Sequence, residues 1–469
     1  MKRLLAVCLL VLGACPAPPP PPECPLPTGL PVFPGAVGYG TTTPGGRGGR
    51  VIEVTTLSSK GPGSLVEALL TKGPRIVVFR VGGVITLEEI VSITEPFLTV
   101  AGQTAPGDGV LVNGAGLAIL AHDVLIQHVR FRPGTAVLPA ASAQDNDAIT
   151  ILGKTSGDGL DAFNVVLDHV SLGWSEDEVF STYFEAHDVT VSWSLIAEGL
   201  ASPRHNKGAH SAGFLYAEGT RCASLHHSLM AHNGFRNPVL KGGGRFEVVN
   251  NVVYDWEDVA TEISPLLEVS QTNLVGNVYL PGPKTSREQL PVSTSRSHPV
   301  NHLVKADTLL GGAAPLKIFA QGNLGPGRLE DMGDEWSLVA NGYGAQALPP
   351  QHRQATAFEA PLSTFTPTAQ VKDLVLSSAG ASKPRRDTID ARVVNEVRTG
   401  TGTIIASENE VGGFPSYASG AAPADDDHDG MSDAWERANG FDPADPTDGS
   451  KDADGDGYTN VEAYLFSLL

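Results

Sequence analysis

Two acidic clusters in the middle of this chain are spaced so that their carboxylates can share a cation. Asp145-Asn146-Asp147 places acids at i and i+2. On extended backbone these share one face, and at the end of a strand they can hold one hard ion. A polar turn carries the same residue types, so spacing alone leaves both readings open. Glu176-Asp177-Glu178 is a second cluster, following Asp168-His169; Asp168 and His169 belong to a repeat described below and are expected to be structural. A third acidic region is more specific. Asp425, Asp427, Asp429, Asp433 and Glu436 fall at positions 1, 3, 5, 9 and 12 of an EF-hand-type calcium loop, with Gly430 at position 6. Asp452, Asp454 and Asp456, followed by Gly457, begin the same way, but position 12 is Ala463 and the nearest acid is Glu462. Trp435, Phe441, Tyr458 and Leu465 are interleaved with these acids, so a unit folded around calcium is expected rather than a solvated acidic tail. His205, His210, His226, His227 and His232 also cluster, without the His-x-x-x-His pair of a helical metal site. Ladder or surface roles are expected for them.

The elements that must position these groups are short. Apolar-alternating segments recur and end in His, Trp or Asn at residues 128, 169, 193, 227, 251 and 277, with steps of 41, 24, 34, 24 and 26 residues. The short steps fit one coil of a parallel β-helix and the long ones fit coils that carry loops. A β-sandwich or propeller would show tight two-residue hairpin turns, and few such signals are present. Residues 346–420 lose the repeat; a helix is expected at 369–379, ended by Gly380, and a helical or mixed segment at 387–397.

The chain has 469 residues, 41% hydrophobic and 6% aromatic, with a formal net charge of −20. This acidity argues against nucleic acid as a partner, since phosphate binding needs clustered Lys and Arg. Residues 425–469 hold 13 acids against 2 bases, a net of −11 in a tenth of the chain. At the other end, Lys2 and Arg3 precede an apolar run from Leu4 to Leu12 that is too short to span a bilayer. It reads as an export signal over residues 1–14. The run ends Leu12-Gly13-Ala14-Cys15, which resembles a bacterial lipobox with Cys15 as the lipidated residue, and a Pro-rich spacer follows over 15–32. An exported or outer-membrane-anchored protein of a bacterium is expected. Export permits a disulfide between Cys24 and Cys222; a pair of free thiols is the other reading.

Phe33-Pro-Gly-Ala-Val-Gly-Tyr-Gly40, Gly45-Gly-Arg-Gly-Gly49, Gly63-Ser-Leu65, Gly102-Gln-Thr-Ala-Pro-Gly107, Arg130-Phe-Arg-Pro133, Leu167-Asp-His169 and Arg236-Asn-Pro238 stand in order along residues 33–420. Together they resemble bacterial pectate lyases of polysaccharide lyase family 1. The resemblance implies an all-β fold, a right-handed single-stranded parallel β-helix of the pectin lyase type. It also implies calcium-dependent β-elimination of polygalacturonate or pectin by a monomeric enzyme. It makes Asp145 and Asp147 a calcium pair, joined by Asp177; the family's further Asp four positions on is here Ser181, with Glu178 as its substitute. Arg236 becomes the base at C5 or a stabiliser of the enolate-like intermediate, Lys207 a charge-stabilising catalytic residue, and Lys241 a contact to the substrate carboxylate. The unit at 421–469 resembles dockerin and thrombospondin type-3 calcium repeats. Two rivals stand against the lyase reading. A polygalacturonase-type hydrolase needs paired acids flanking the scissile bond, and a non-catalytic surface β-helix would bind polysaccharide without turnover.

Overall fold

In a computed structural model, described over residues 23–154, 159–201, 204–206, 208–257, 259–265, 268–285, 304–306, 316–341 and 348–469, the short apolar segments become strands of three parallel sheets. The expected signal, the spacer up to residue 22 and Lys207 lie outside the described residues. The chain visits the sheets in rotation. Val124–Gln127 lies in the first, Arg130–Arg132 in the second and Ile149–Leu152 in the third, and Phe163–Asp168 returns to the first. Among the described residues the sheets hold ten, eight and nine strands, and this rotation builds a right-handed single-stranded parallel β-helix.

Each coil lies on the next in register. Val100, Ile126, Leu167, Val191, Leu225, Val248 and Leu274 form one column of paired positions in the first sheet, and all are buried. Aliphatic side chains at one strand spacing fill the narrow interior, which is why aromatic residues are few.

The corner between the first and second sheets is one residue in the left-handed region. His128, His169, Trp193 and His227 occupy it with φ of 55, 51, 50 and 51°. Such φ values are unfavourable for residues with a Cβ. Here the rings stack from coil to coil, with centroids 4.9, 5.9 and 4.4 Å apart, which offsets part of that cost. The same corner continues at Asn250, Gly276 and Gly322. Thus the last two repeat ends expected from sequence, Asn251 and Asn277, sit one residue beyond the corner. They belong to a second column. Ser194 Oγ accepts from the Val170 N–H, Ser228 Oγ from Ser194, Asn251 Oδ1 from Ser228, Asn277 Oδ1 from Asn251 and Asn323 Oδ1 from Asn277, at 2.9–3.2 Å. This ladder satisfies buried backbone donors where the strands break.

The remaining elements close the exposed faces. Ser64 caps the helix Leu65–Leu70, which covers the first coil. A Cβ on Gly46 would stand 2.0 Å from the Arg75 carbonyl oxygen, so only glycine lets this glycine-rich run lie against the sheet. The expected helix forms at Thr368–Ser378, and the helical or mixed segment is a helix over Thr388–Thr399, capped by Asp387. Val371, Val375, Val393 and Val397 pack on Leu195, Leu229 and Val252 of the second sheet. Arg132 is buried and ion-paired to Asp387 at 2.8 Å and Asp390 at 2.5 Å, so the Arg130-Phe-Arg-Pro133 motif ties these helices down. Cys24 and Cys222 form a disulfide. The acidic tail contributes helices Asp433–Asn439 and Asn460–Ser467. Its Met431, Val461, Tyr464 and Leu465 pack on Ile76, Val78 and Ala101 of the first sheet, and Arg47 pairs with Glu462 at 2.9 Å.

His232 is fully buried between Asp255, 2.8 Å from Nδ1, and Glu396 of the second long helix, 3.3 Å from Nε2. Burial alone would lower its pKa, but hydrogen bonds to Asp255 and Glu396, with Glu198 nearby, push it up to about 9. A folded-state pKa above the unfolded value of about 6.5 means that the charged histidine stabilises the fold fully below that value. The contribution is lost as pH rises through about 9. The melting temperature of the parent is therefore expected to fall between pH 7 and pH 10 more steeply than that of His232→Gln; parallel curves would contradict this.

Candidate active site and metal-binding groups

Loops returning from the second sheet deliver most of the candidate residues to the start of successive strands of the third. Asp147 stands two residues before Ile149–Leu152, Glu178 opens Glu178–Tyr183, His210 precedes Ala212–Tyr216 and Arg236 precedes Val239–Leu240. In-register pairing, Ile149 with Phe180 and Glu178 with Ala212, stacks them about one strand spacing, roughly 4.8 Å, apart per coil.

Asp147, Asp177 and Glu178 are buried, and a carboxylate oxygen from each lies within 4.8 Å of the others. Asp147 is held by the Glu178 N–H at 3.0 Å and by the Ser181 hydroxyl. The serine where the resemblance leads one to expect an acid thus orients Asp147. Burial, and then the charge of Asp177, raises the Asp147 carboxyl well above the ordinary range. Glu178 Oε2, Asp177 Oδ1 and both side-chain polar atoms of buried Asn146 have no hydrogen-bond partner among the described residues. Unsatisfied oxygens around crowded acids fit a hard divalent cation. Asp145 takes no part in this trio: it is exposed at the end of the 3-10 turn Ala140–Asp145, so the i, i+2 pair is not on a strand.

Arg236 is mostly buried, has φ of 63°, and forms an ion pair with Glu178. Burial lowers its pKa, opposed by the charges of Asp177, Asp147 and Glu262. Lys241 lies at the other end of its strand, 3.7 Å from Glu218. His205 and His210, expected in ladder or surface positions, are instead buried against Asp177. They approach it from a loop of long-range contacts, which leaves no periodic signal. His227 does lie at the sheet corner, His226 ends the strand before it, and His232 is the buried charge described above.

In the tail, Asp425, Asp427 and Asp429 converge, and Asp429 and Glu436 converge with Asp448. Burial and the neighbouring acids push Asp429 and Glu436 up to about 7. Asp433 is directed elsewhere, accepting from the Asp426 N–H at 2.9 Å and pairing with Arg437. Asp448 lies between the two loop motifs, outside either pattern, and sequence reasoning missed it. Asp452, Asp454 and Asp456 form an exposed trio, while Glu462 caps Thr459 and binds Arg47.

No family model matches the chain. The probable pectate lyase C of Aspergillus fumigatus is 34% identical to it over 452 residues, 94% of each chain. The probable pectate lyase C of Neosartorya fischeri is 33% identical over 448 residues, again 94% of each. Among solved structures, the cedar-pollen allergen Jun a 1 shares the fold, with a TM-score of 0.50 at 18% identity over 74% of this chain and 92% of that one.

Because the ionised Asp147 is disfavoured without a counter-ion, Asp147→Asn is expected to raise the melting temperature in chelator by roughly 2 °C or more. A lower value in a calorimetric scan would contradict the assignment of crowded charge here.

Proposed function

The chain belongs to the pectate lyase family, and we propose that it cleaves (1,4)-α-D-galacturonan by calcium-dependent β-elimination, giving 4,5-unsaturated oligogalacturonates. The observation that carries this reading is the buried trio Asp147, Asp177 and Glu178 set against Arg236. When bound, calcium would supply the bridge from these acids to the substrate carboxylate and the charge that acidifies the C5 proton. The acids present oxygens already oriented by the Glu178 N–H and the Ser181 hydroxyl. Arg236 is the base for the C5 proton in this reading, and its burial is what brings a guanidinium, ordinarily always protonated, towards competence. Lys207 and Lys241 meet substrate charge, Lys241 further along the third sheet. Asp145, exposed beside Asp147, joins the acids only if its loop turns inward on binding.

Hydrolysis would need two acids on opposite sides of the bond, whereas these three meet at one point. Incubation with polygalacturonate and calcium at alkaline pH is expected to produce ultraviolet absorbance from the unsaturated product. Reducing ends without it would indicate hydrolysis, and intact substrate would indicate a binding protein. Arg236→Lys is expected to lower turnover by about 100- to 10,000-fold with the fold and calcium binding kept; normal turnover would remove Arg236 from the mechanism.

Export follows from the N-terminal signal and agrees with the Cys24–Cys222 disulfide. The lipid anchor at Cys15 and the bacterial origin rest on Leu12-Gly13-Ala14-Cys15, the relatives above being fungal. We take residues 421–469 as a calcium module of the monomer, with Asp425, Asp427, Asp429, Glu436 and Asp448 as its first site and Asp452, Asp454 and Asp456 as its second. Its apolar face lies on the first sheet, so filling a site at one hundred times its dissociation constant should stabilise the chain by about 2.7 kcal/mol. Chelation is expected to lower the melting temperature of the parent, and Glu436→Gln to remove most of that difference. Equal melting with and without calcium would rule out a stabilising module.

A further inference from the structure

We propose that a cavity at the end of the corner column is a saccharide site, distinct from the acidic groove, for one neutral pyranose ring. In earlier coils the corner residue carries a ring, and the rings of His128, His169, Trp193 and His227 stack with centroids 4.4–5.9 Å apart. Asn250 ends that stack, bonded to the Thr366 N–H and carbonyl at 2.9 Å each. The next two corner residues are Gly276 and Gly322. Over them opens a cavity of about 470 Å³, a size that suits a small molecule. The nearest atoms to a Cβ on Gly322 would be Thr368 Oγ1 at 3.1 Å, Asp331 Oδ2 at 3.8 Å and the Gly276 Cα at 4.0 Å. The column thus ends in a space that a side chain fills in the coils before it.

The walls fit a saccharide. Phe365, Leu324 and Leu329 give apolar surface, and Leu329 is 80% exposed at the mouth. Gln321, Thr368 and the carboxylates of Glu330 and Asp331 stand beside them. A pyranose has apolar C–H faces and a rim of hydroxyls, so it needs both kinds of surface at once. Its hydroxyls donate to carboxylates and both donate to and accept from amides. Charge selects among sugars. No Lys, Arg or His among the described residues lines the cavity. Arg328, which pairs with Asp331 at 2.7 Å, is shared with Glu335 at 3.0 Å. A uronate carboxylate would therefore meet like charge, and the site takes a neutral sugar. It lies between the first and second sheets, whereas the acid trio lies at the start of strands of the third.

The test is a titration of the full mature chain in excess calcium with methyl β-D-galactopyranoside and methyl β-D-glucopyranoside, read by saturation-transfer NMR. At least one is expected to bind with a dissociation constant of about 1 mM, and galacturonate should not displace it. Gly322→His, which restores the ring of the earlier corners, should weaken that sugar at least about tenfold. Leu329→Asp, at an exposed position where folding is not at stake, should weaken it at least about threefold. Arg236→Lys should leave it unchanged. The proposal is overturned if neither sugar binds, or if the Leu329 variant binds as tightly as the parent. It is also overturned if galacturonate displaces the sugar or if Arg236→Lys loses it, since either result puts the sugar in the acidic groove. Lyase activity is not read, so this site and the elimination mechanism stand or fall separately.

Discussion

The structure depends on each coil returning to the same register as the one before. Parallel strands have no hairpin to set their alignment; here the left-handed corner and the Ser/Asn column set it. One residue at φ near 50–69° turns every coil from His128 to Gly322, and the next residue from Ser194 onward bonds back to the preceding backbone. With that edge held constant, variable loops can leave from the opposite corner without disturbing the stack. The third sheet then begins at a fixed place on each coil, which is why residues far apart in sequence, Asp147, Glu178 and Arg236, come together.

The same stacking creates an electrostatic problem. Coils that place acids at equivalent positions bury like charges a few ångströms apart, and little in the apolar interior screens them. Elsewhere the fold answers with fixed cations, as Arg132 does for Asp387 and Asp390. At Asp147, Asp177 and Glu178 the compensation is partial, Arg236 pairing with Glu178 and the two histidines His205 and His210 meeting Asp177, and at Asp429, Glu436 and Asp448 no basic side chain among the described residues completes the set. Three acids meet at each of these two places. They are where a mobile cation can do what a fixed one does elsewhere.

Periodicity carried the β-helix into the sequence, because an aliphatic column needs an apolar residue at the same point of every coil. It carried less of the corner. Once Asn replaces an aromatic residue, the corner residue Asn250 and the ladder residue Asn251 are both asparagine, and pattern alone does not separate them. Loop residues were legible only where a motif marks them: Asp147 and Arg236 stand out by their neighbours. The approach of His205 and His210 to Asp177 is a matter of how one loop folds over another coil. Asp448 was hidden for a related reason, since it completes a ligand set from outside the loop pattern.

Arg236 joins the two themes. Register places it beyond the acids, and burial depresses its pKa while Asp177, Asp147 and Glu262 resist that shift. In the metal-free protein these effects oppose each other, so the guanidinium is held as a partner of Glu178. Neutralising the acids removes the opposing influence and leaves burial to act. The acids that would anchor the ion thereby also govern the arginine, and a change to any of them should be felt in both the affinity for calcium and the basicity of Arg236.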